Sequence, residues 1–274
     1  MSVTRVRLLS LAAASIVAGL AAASTYAQGP SEPPTVRDYC IKVAPGKGAE
    51  LEGFIRDVSV PLARARADAG EFAWWILARS VIPAGSSARC DYRVAYGYKG
   101  LPPEEISNEA LDAALKRARL NLTADQMIAK RSTLMSLVAA EIWYRIDGIG
   151  PDVDTGGFVR FNHYKVANGE MEEWVRLETT YWKPVMDAWL KAGGRGGWGV
   201  FGLGMPGGES TPYNGVTVDT FPDWNGLTRG VPLDEIWPKV HPSITVTDAF
   251  RRFDRVRSIH DIEVFKVVAE VRGK

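Results

Sequence analysis

The chain is poor in the residues that metal and nucleophile chemistry draw on. Two cysteines, Cys40 and Cys90, and three histidines, His163, His241 and His260, are all that 274 residues contain. None stands at the close spacing of a zinc or zincin motif, no Cys-x-x-Cys occurs, and no serine sits in a Gly-x-Ser-x-Gly setting. No metal centre is expected, and the easiest hydrolase reading is removed. A surplus of either charge is lacking too. Lys and Arg number 33 against 32 Asp and Glu, and 31 against 32 once Arg5 and Arg7 are set aside with the leader described below. Such a chain has no electrostatic reason to seek nucleic acid or an anionic membrane. After residue 27 no apolar run approaches the roughly 20 residues of a membrane-spanning helix, so no integral membrane segment is expected once the leader is removed.

What is present begins with that leader. Arg5 and Arg7 precede an uncharged apolar stretch, Leu8 to Ala23, and Thr25-Tyr26-Ala27 supplies small residues for a cleavage site before Gln28. Residues 1–27 therefore read as a signal peptide and the remainder as a periplasmic or secreted protein, an uncleaved anchor being the alternative. The remainder, in a chain 46% hydrophobic, is long enough to bury one large core or two smaller ones.

The strongest signal is internal repetition. Residues 42 to 87 realign on residues 165 to 210 without a gap at an offset of 123, with 13 identities in 46 positions, among them Gly46/Gly169, Pro61/Pro184, Gly70/Gly193, Trp75/Trp198 and Pro83/Pro206. Chance would give roughly three at ordinary residue usage. A period this long suits a whole small domain and not a solenoid repeat. The domains expected are 28–150 and 151–274.

In each half an alternating strand (36–43; 159–166) leads through a glycine turn into an amphipathic helix. The stripes Leu51, Phe54, Val58, Leu62, Ala65, Ala69 and Trp174, Leu177, Tyr181, Val185, Ala188, Ala192 match position for position. Each helix ends at a glycine, Gly70 or Gly193, suited to a left-handed cap. Pro61 and Pro184 inside the helices are expected to bend them. A strand pair around a turn-rich loop follows (73–81 with 90–98; 198–203 with 213–221). Then comes a helical region whose start carries a capping-box spacing at Thr123 and Gln126, echoed by Thr245 and Asp248, and each half closes on a strand (139–146; 261–271). The order β-α-β-β-α-β, twice, predicts an α+β fold of two tandem ferredoxin-like units.

In this order, in the duplication and in segments such as YWKPVMDAWLKAGGRGGW, the chain resembles the dimeric α/β-barrel superfamily, which includes antibiotic-biosynthesis monooxygenases, haem-degrading monooxygenases, NIPSNAP-like proteins and chlorite dismutases. The resemblance covers nearly all of the chain after the leader but carries no catalytic signature, and so points to no one family. It implies two units pairing sheet to sheet as a pseudo-dimeric barrel, as a monomer or a further homo-oligomer. It also implies either a cofactor-free or a haem-linked monooxygenase-like activity. No cofactor is predicted from the residues themselves, and haem enters only through the resemblance. Families holding haem by a histidine carry it on a helix, whereas His163 falls on a strand.

Strand alternation points Asp38, Cys40 and Lys42, with Phe161, His163 and Lys165, into the barrel. With strand order 4-1-3-2, Lys42 with Glu141 and Lys165 with Glu263 are candidate cross-strand ion pairs, solvation at strand ends being the alternative. Cys40 and Cys90 are expected to form a disulfide, and the positions they map onto, His163 and Tyr213, to pack or hydrogen-bond in the matching place. The second half also carries tryptophans that the first lacks. Trp182 and Trp189, off the shared stripe, suit either a stacking wall or cover for the join between halves. The function expected is binding of a small apolar or aromatic molecule, with His163, Tyr213, Asn162, Trp182 and Trp198 as candidate ligand contacts. The alternative is the monooxygenase-like enzyme, for which no catalytic dyad can be named.

Overall fold

The computed structural model describes residues 34–150, 153–193, 196–208, 211–229 and 231–273. The expected signal peptide and its cleavage point before Gln28 lie outside them. Among the described residues eight strands close into a barrel: β1 (Thr35–Val43), β2 (Trp74–Ile82), β3 (Tyr92–Tyr98), β4 (Met135–Ile149), β5 (Phe158–Val166), β6 (Gly197–Met205), β7 (Gly215–Phe221) and β8 (Arg257–Arg272), all antiparallel to their neighbours. The order around the barrel is β1-β3-β2-β8-β5-β7-β6-β4. The first four strands therefore lie as 4-1-3-2, the last four repeat that arrangement, and β2 with β8 and β4 with β6 join them. Closure leaves no sheet edge open to another chain.

Helices cover the outside in a mixed α+β arrangement. In the first half α1 (Gly48–Phe54) runs through a π turn (Ile55–Ser59) directly into α2 (Val60–Asp68), with α3 (Asn108–Arg117) and α4 (Ala124–Leu134) beside it. In the second half α5 (Met171–Leu177) runs through a π turn (Glu178–Trp182) into α6 (Lys183–Lys191), accompanied by α7 (Trp224–Thr228), α8 (Leu233–Val240) and α9 (Val246–Val256). Thr123 and Gln126 form the expected capping box, and the Thr245 hydroxyl accepts from the Asp248 amide. Gly70 and Gly193 follow their helices at φ of 76° and 75°, a conformation that would strain any side chain.

The expected proline bend takes a specific form. Pro61 and Pro184 lie in the first turn after each π segment, where the wider turn accommodates a ring that has no N–H to give. The extra residue in that turn also rotates the buried stripe. Beyond it Ala63 and Ala67 are buried in α2 in place of Ala65 and Ala69, and Met186 and Trp189 are buried in α6, where Ala188 is only partly buried and Ala192 is exposed. Trp189 thus lies in the core cluster of the second half.

Apolar side chains fill three spaces. One cluster lies between the first half's helices and its sheet, around Leu51, Trp75, Leu115 and Leu134. A second lies under the second half's helices, around Trp174, Trp198, Trp237 and Phe253. Two smaller clusters, one with Cys40, Cys90 and Phe265 and one with Trp143, Tyr213 and Val216, occupy the barrel interior. Cys40 and Cys90 are joined in the expected disulfide, with alpha carbons 5.2 Å apart. At the matching place His163 and Tyr213 stack with ring centroids 4.4 Å apart.

The expected ion pairs from Lys42 and Lys165 are not formed. Register places Glu141 opposite Asp38 and Glu263 opposite Phe161, while bulges after Cys40 and His163 bring the lysines opposite Ser136 and Ser258. Lys42 Nζ instead donates to the carbonyl of Ala88, 2.5 Å, and pairs with Asp91, and Lys165 Nζ donates to the carbonyl of Thr211, 2.6 Å. These acceptors are themselves 123 residues apart.

Candidate functional site

The barrel interior holds a cavity of about 170 Å³. It lies toward the end at which β1, β2, β5 and β6 begin, between Trp74, Trp143, Phe161 and Phe201, with valines of β5 and β7 between them. Alternation along the strands aims these side chains inward. Arg145, Glu270 and Arg272 border it at that end, and Asp38, Arg93 and His163 form its floor.

The floor is one connected polar network. Arg93, paired with Cys40 across β1 and β3, donates to Asp38 through Nη1 and to Glu263 through Nη2 at 2.8 Å, with Glu141 at 3.9 Å. Its guanidinium also lies over Phe161 and Phe265, 4.9 and 5.5 Å from the ring centroids. Asp38 and Glu141 face each other directly across β1 and β4, a like-charge pairing that Arg93 makes tolerable. Burial raises Asp38 to about 6 against the pull of Arg93, with Glu141 adding to the rise. Burial alone would raise Glu141, but Arg93, the Tyr213 hydroxyl and Arg89 outweigh it and hold that carboxyl below its ordinary value. Burial also opposes the charge on Arg93, yet Asp38, Glu263 and Glu141 keep it protonated.

His163 stands beside this network, sealed between Phe161 and Tyr213 at 1% exposure. Its Nδ1 lies 2.5 Å from Asp261 Oδ1. Burial would raise Asp261, but its bond to His163 holds it low and ionised, so the carboxylate can only accept and Nδ1 carries the proton. Burial lowers His163 from its ordinary value despite that bond, which favours the neutral ring. Beside it Tyr213 donates to Glu141 Oε1 at 2.5 Å and accepts from Arg89. Asp261 leads outward to His260, 3.7 Å away and half exposed.

Of the five contacts expected from sequence, the structure brings His163 to the cavity and stacks Tyr213 behind it. Trp198 borders the cavity, but its ring belongs to the cluster under the second half's helices. Asn162 and Trp182 are not at the cavity. Asn162 alternates with His163 and so turns to the helix side, donating to Thr217 Oγ1 and Asp219 Oδ2 at 3.1 and 3.0 Å. Trp182 sits in the outer π turn against Phe250. Arg93, Asp261, Trp74 and Trp143 complete the site without having been singled out. Arg93 did carry a signal, as the one charge inside the otherwise apolar strand YRVAYGY.

His163, Asp261 and Glu263 each place a potential ligand atom within 4.8 Å of the others. Nδ1–H donates to Asp261 and Glu263 is committed to Arg93, so the arrangement is that of a hydrogen-bonded network and not of three free ligands. A haem does not fit the barrel. The cavity is smaller than the roughly 300–1,000 Å³ of pockets that take drug-sized ligands, and haem is at least that large.

No protein-family model matches the chain, and no curated protein matches it. Among solved structures it is similar to a protein of Lactobacillus acidophilus NCFM described as a putative monooxygenase, with TM-score 0.52 and 10% identity over 88% of this chain and 97% of that one. A protein of Fusobacterium nucleatum subsp. nucleatum ATCC 25586 with the same description gives 0.53 and 9% over 88% and 95%. An anthrone oxidase-like protein gives 0.50 and 11% over 89% and 94%. At such identities the likeness is one of fold. The fold is that of the dimeric α/β barrels, carried here by a single chain.

Proposed function

We propose that the barrel binds one small, flat, largely apolar molecule. The observation that carries this reading is a cavity of about 170 Å³ walled by Trp74, Trp143 and Phe161 and closed beneath by Arg93, Asp38 and His163. Apolar space walled by aromatic rings is costly to leave to water, and a few convergent polar groups orient what fills it. An apolar cavity of about 150 Å³ is known to take benzene, so the size suits a single ring. The test is titration of the protein with toluene, following tryptophan fluorescence and melting temperature. Saturable binding with a raised melting temperature is expected, and neither signal changing at millimolar ligand refutes the reading.

The same proposal treats 28–150 and 151–274 as descendants of one duplicated ferredoxin-like unit. The paired π turns and the lysine-to-carbonyl bonds at the same offset support it. A protein exported to an oxidising compartment accords with the disulfide, and no described helix is long and apolar enough to cross a membrane.

A second reading, a monooxygenase-like enzyme, draws on the His163–Asp261 pair beside the cavity, since a buried neutral imidazole can take a proton from a bound molecule. Oxygen consumption in the presence of a bound ring separates the two. Binding without consumption leaves the protein a binder.

A further inference from the structure

We infer that the cavity selects a single-ring hydroxyaromatic, a phenol, whose O–H donates to His163 Nε2. This rests on the cavity-binding reading and specifies its ligand class.

Size and wall chemistry select one ring, as above. The polar contact follows from the tautomer. Asp261 accepts from Nδ1 at 2.5 Å, which leaves Nε2 as a lone-pair acceptor on a neutral imidazole. No hydrogen bond reaches Nε2 from the described residues. The sealed polar atoms without partners are Asp38 Oδ1, Arg93 Nε, Glu178 Oε2, Trp198 Nε1, Thr220 Oγ1 and Arg257 Nε. Nε2 is not one of these, and His163 borders this cavity. A ligand that satisfies the wall must therefore bring a proton to donate.

Charge narrows the class further. At the floor the carboxyl groups of Asp38, Glu141, Asp261 and Glu263 stand with the guanidinium groups of Arg93 and Arg89, while Arg145 and Arg272 lie with Glu270 at the other end of the cavity. Arg93 is committed to Asp38 and Glu263, and Arg89 to Tyr213 and Glu141. An aromatic carboxylate turned to the floor would set its charge beside those carboxyl groups and bring no proton for Nε2. A ring without a hydroxyl would bind but leave a buried acceptor unsatisfied. The order expected is phenol, then toluene and anisole, then benzoate.

The experiment is calorimetric titration of the protein at pH 7.5 with phenol, anisole, toluene and benzoate. Anisole keeps the oxygen and the shape but has no proton to give. Phenol is expected to bind about tenfold more tightly than anisole or toluene, on the order of one hydrogen bond to a buried acceptor, and benzoate at least as weakly as toluene. His163→Phe is expected to abolish the preference for phenol over toluene and anisole. The ligand series needs no variant, so a failure of His163→Phe to fold leaves the inference testable. Phenol and anisole binding equally to the native protein, or benzoate binding more tightly than phenol, overturns the inference while the cavity reading stands. If no ring binds at all, both fall together.

Discussion

Replacing Asp38 with Asn should make this protein more stable at neutral pH, although it removes a charge from a buried ion pair. Asp38 is 4% exposed and touches Arg93, with Glu141 opposite and Glu263 close by. Its carboxyl rises from 3.8 to about 6 on folding, so the site prefers the neutral form by a factor of about 10^2.2, or about 3 kcal/mol at 1.36 kcal/mol per tenfold. The sign follows from linkage. Between pH 4 and 6 the native chain holds a proton that the unfolded chain has lost, so stability drains away as pH rises through that interval and is level above it. Asn cannot ionise and escapes the loss. Arg93 keeps Glu263 at 2.8 Å and gains a closer claim on Glu141. Asp38→Asn should therefore gain about 3 kcal/mol at pH 8 and about 1 at pH 4.5 in urea unfolding followed by tryptophan fluorescence. In melting temperature that is roughly 6 to 12 °C at pH 8 for a chain of this size. The difference between the two proteins carries the test, because buried His163, held below 6.5, moves wild-type stability the opposite way over neighbouring pH. A variant no more stable than wild type at pH 8 would show that the Arg93–Asp38 pair is net stabilising, and would refute the reasoning.

Three further outcomes are expected. Replacing both Cys40 and Cys90 with Ser releases a loop spanning 50 residues, worth about 4 kcal/mol in the chain-entropy account. A loss under 1 kcal/mol on equilibrium unfolding would contradict that. Arg257→Ala strips Glu178, 1% exposed and raised by burial to about 7, of its partner at 3.2 Å, and also uncovers Tyr164, over which the guanidinium lies at 3.7 Å. It should destabilise by about 3 to 5 kcal/mol, more at pH 8 than at pH 6, and equal losses at the two pH values would count against a charge on Glu178. Gly215→Ala places a methyl 2.7 Å from the buried Trp174 ring, and thermal denaturation should register a loss of about 1 to 3 kcal/mol. An unchanged melting temperature would mean that Trp174 moves freely.

The barrel was legible because a repeat read at one offset constrains both halves at once. The disulfide and the His163–Tyr213 stacking each join a residue of β1 or β5 to one just ahead of the neighbouring strand, β3 or β7, in the same strand order both times. The ion pairs were misread because alternation specifies which face a side chain takes and not how far along the partner strand it sits. Glu141 meets Asp38 instead of Lys42 by four residues of register, and no local pattern encodes that slide. The rotated helix stripe was hidden for a related reason, since a 3.6-residue periodicity contains no sign of the extra residue that a π turn inserts beside Pro61 or Pro184. Asn162 shows the reverse. Strict alternation with His163 already excluded it from the barrel, so grouping the two ignored a rule that the sequence obeys. The floor lay between these cases. Arg93, Glu141 and Glu263 were each conspicuous as charges in apolar strands, but only closure of the barrel makes one guanidinium serve carboxylates from both halves. That convergence fixes the tautomer problem at His163, because it commits Glu263 elsewhere and leaves Asp261 as the sole acceptor for Nδ1. The chemistry open to the cavity is thus set by a contact between halves, which is the level of structure that a single repeat cannot write.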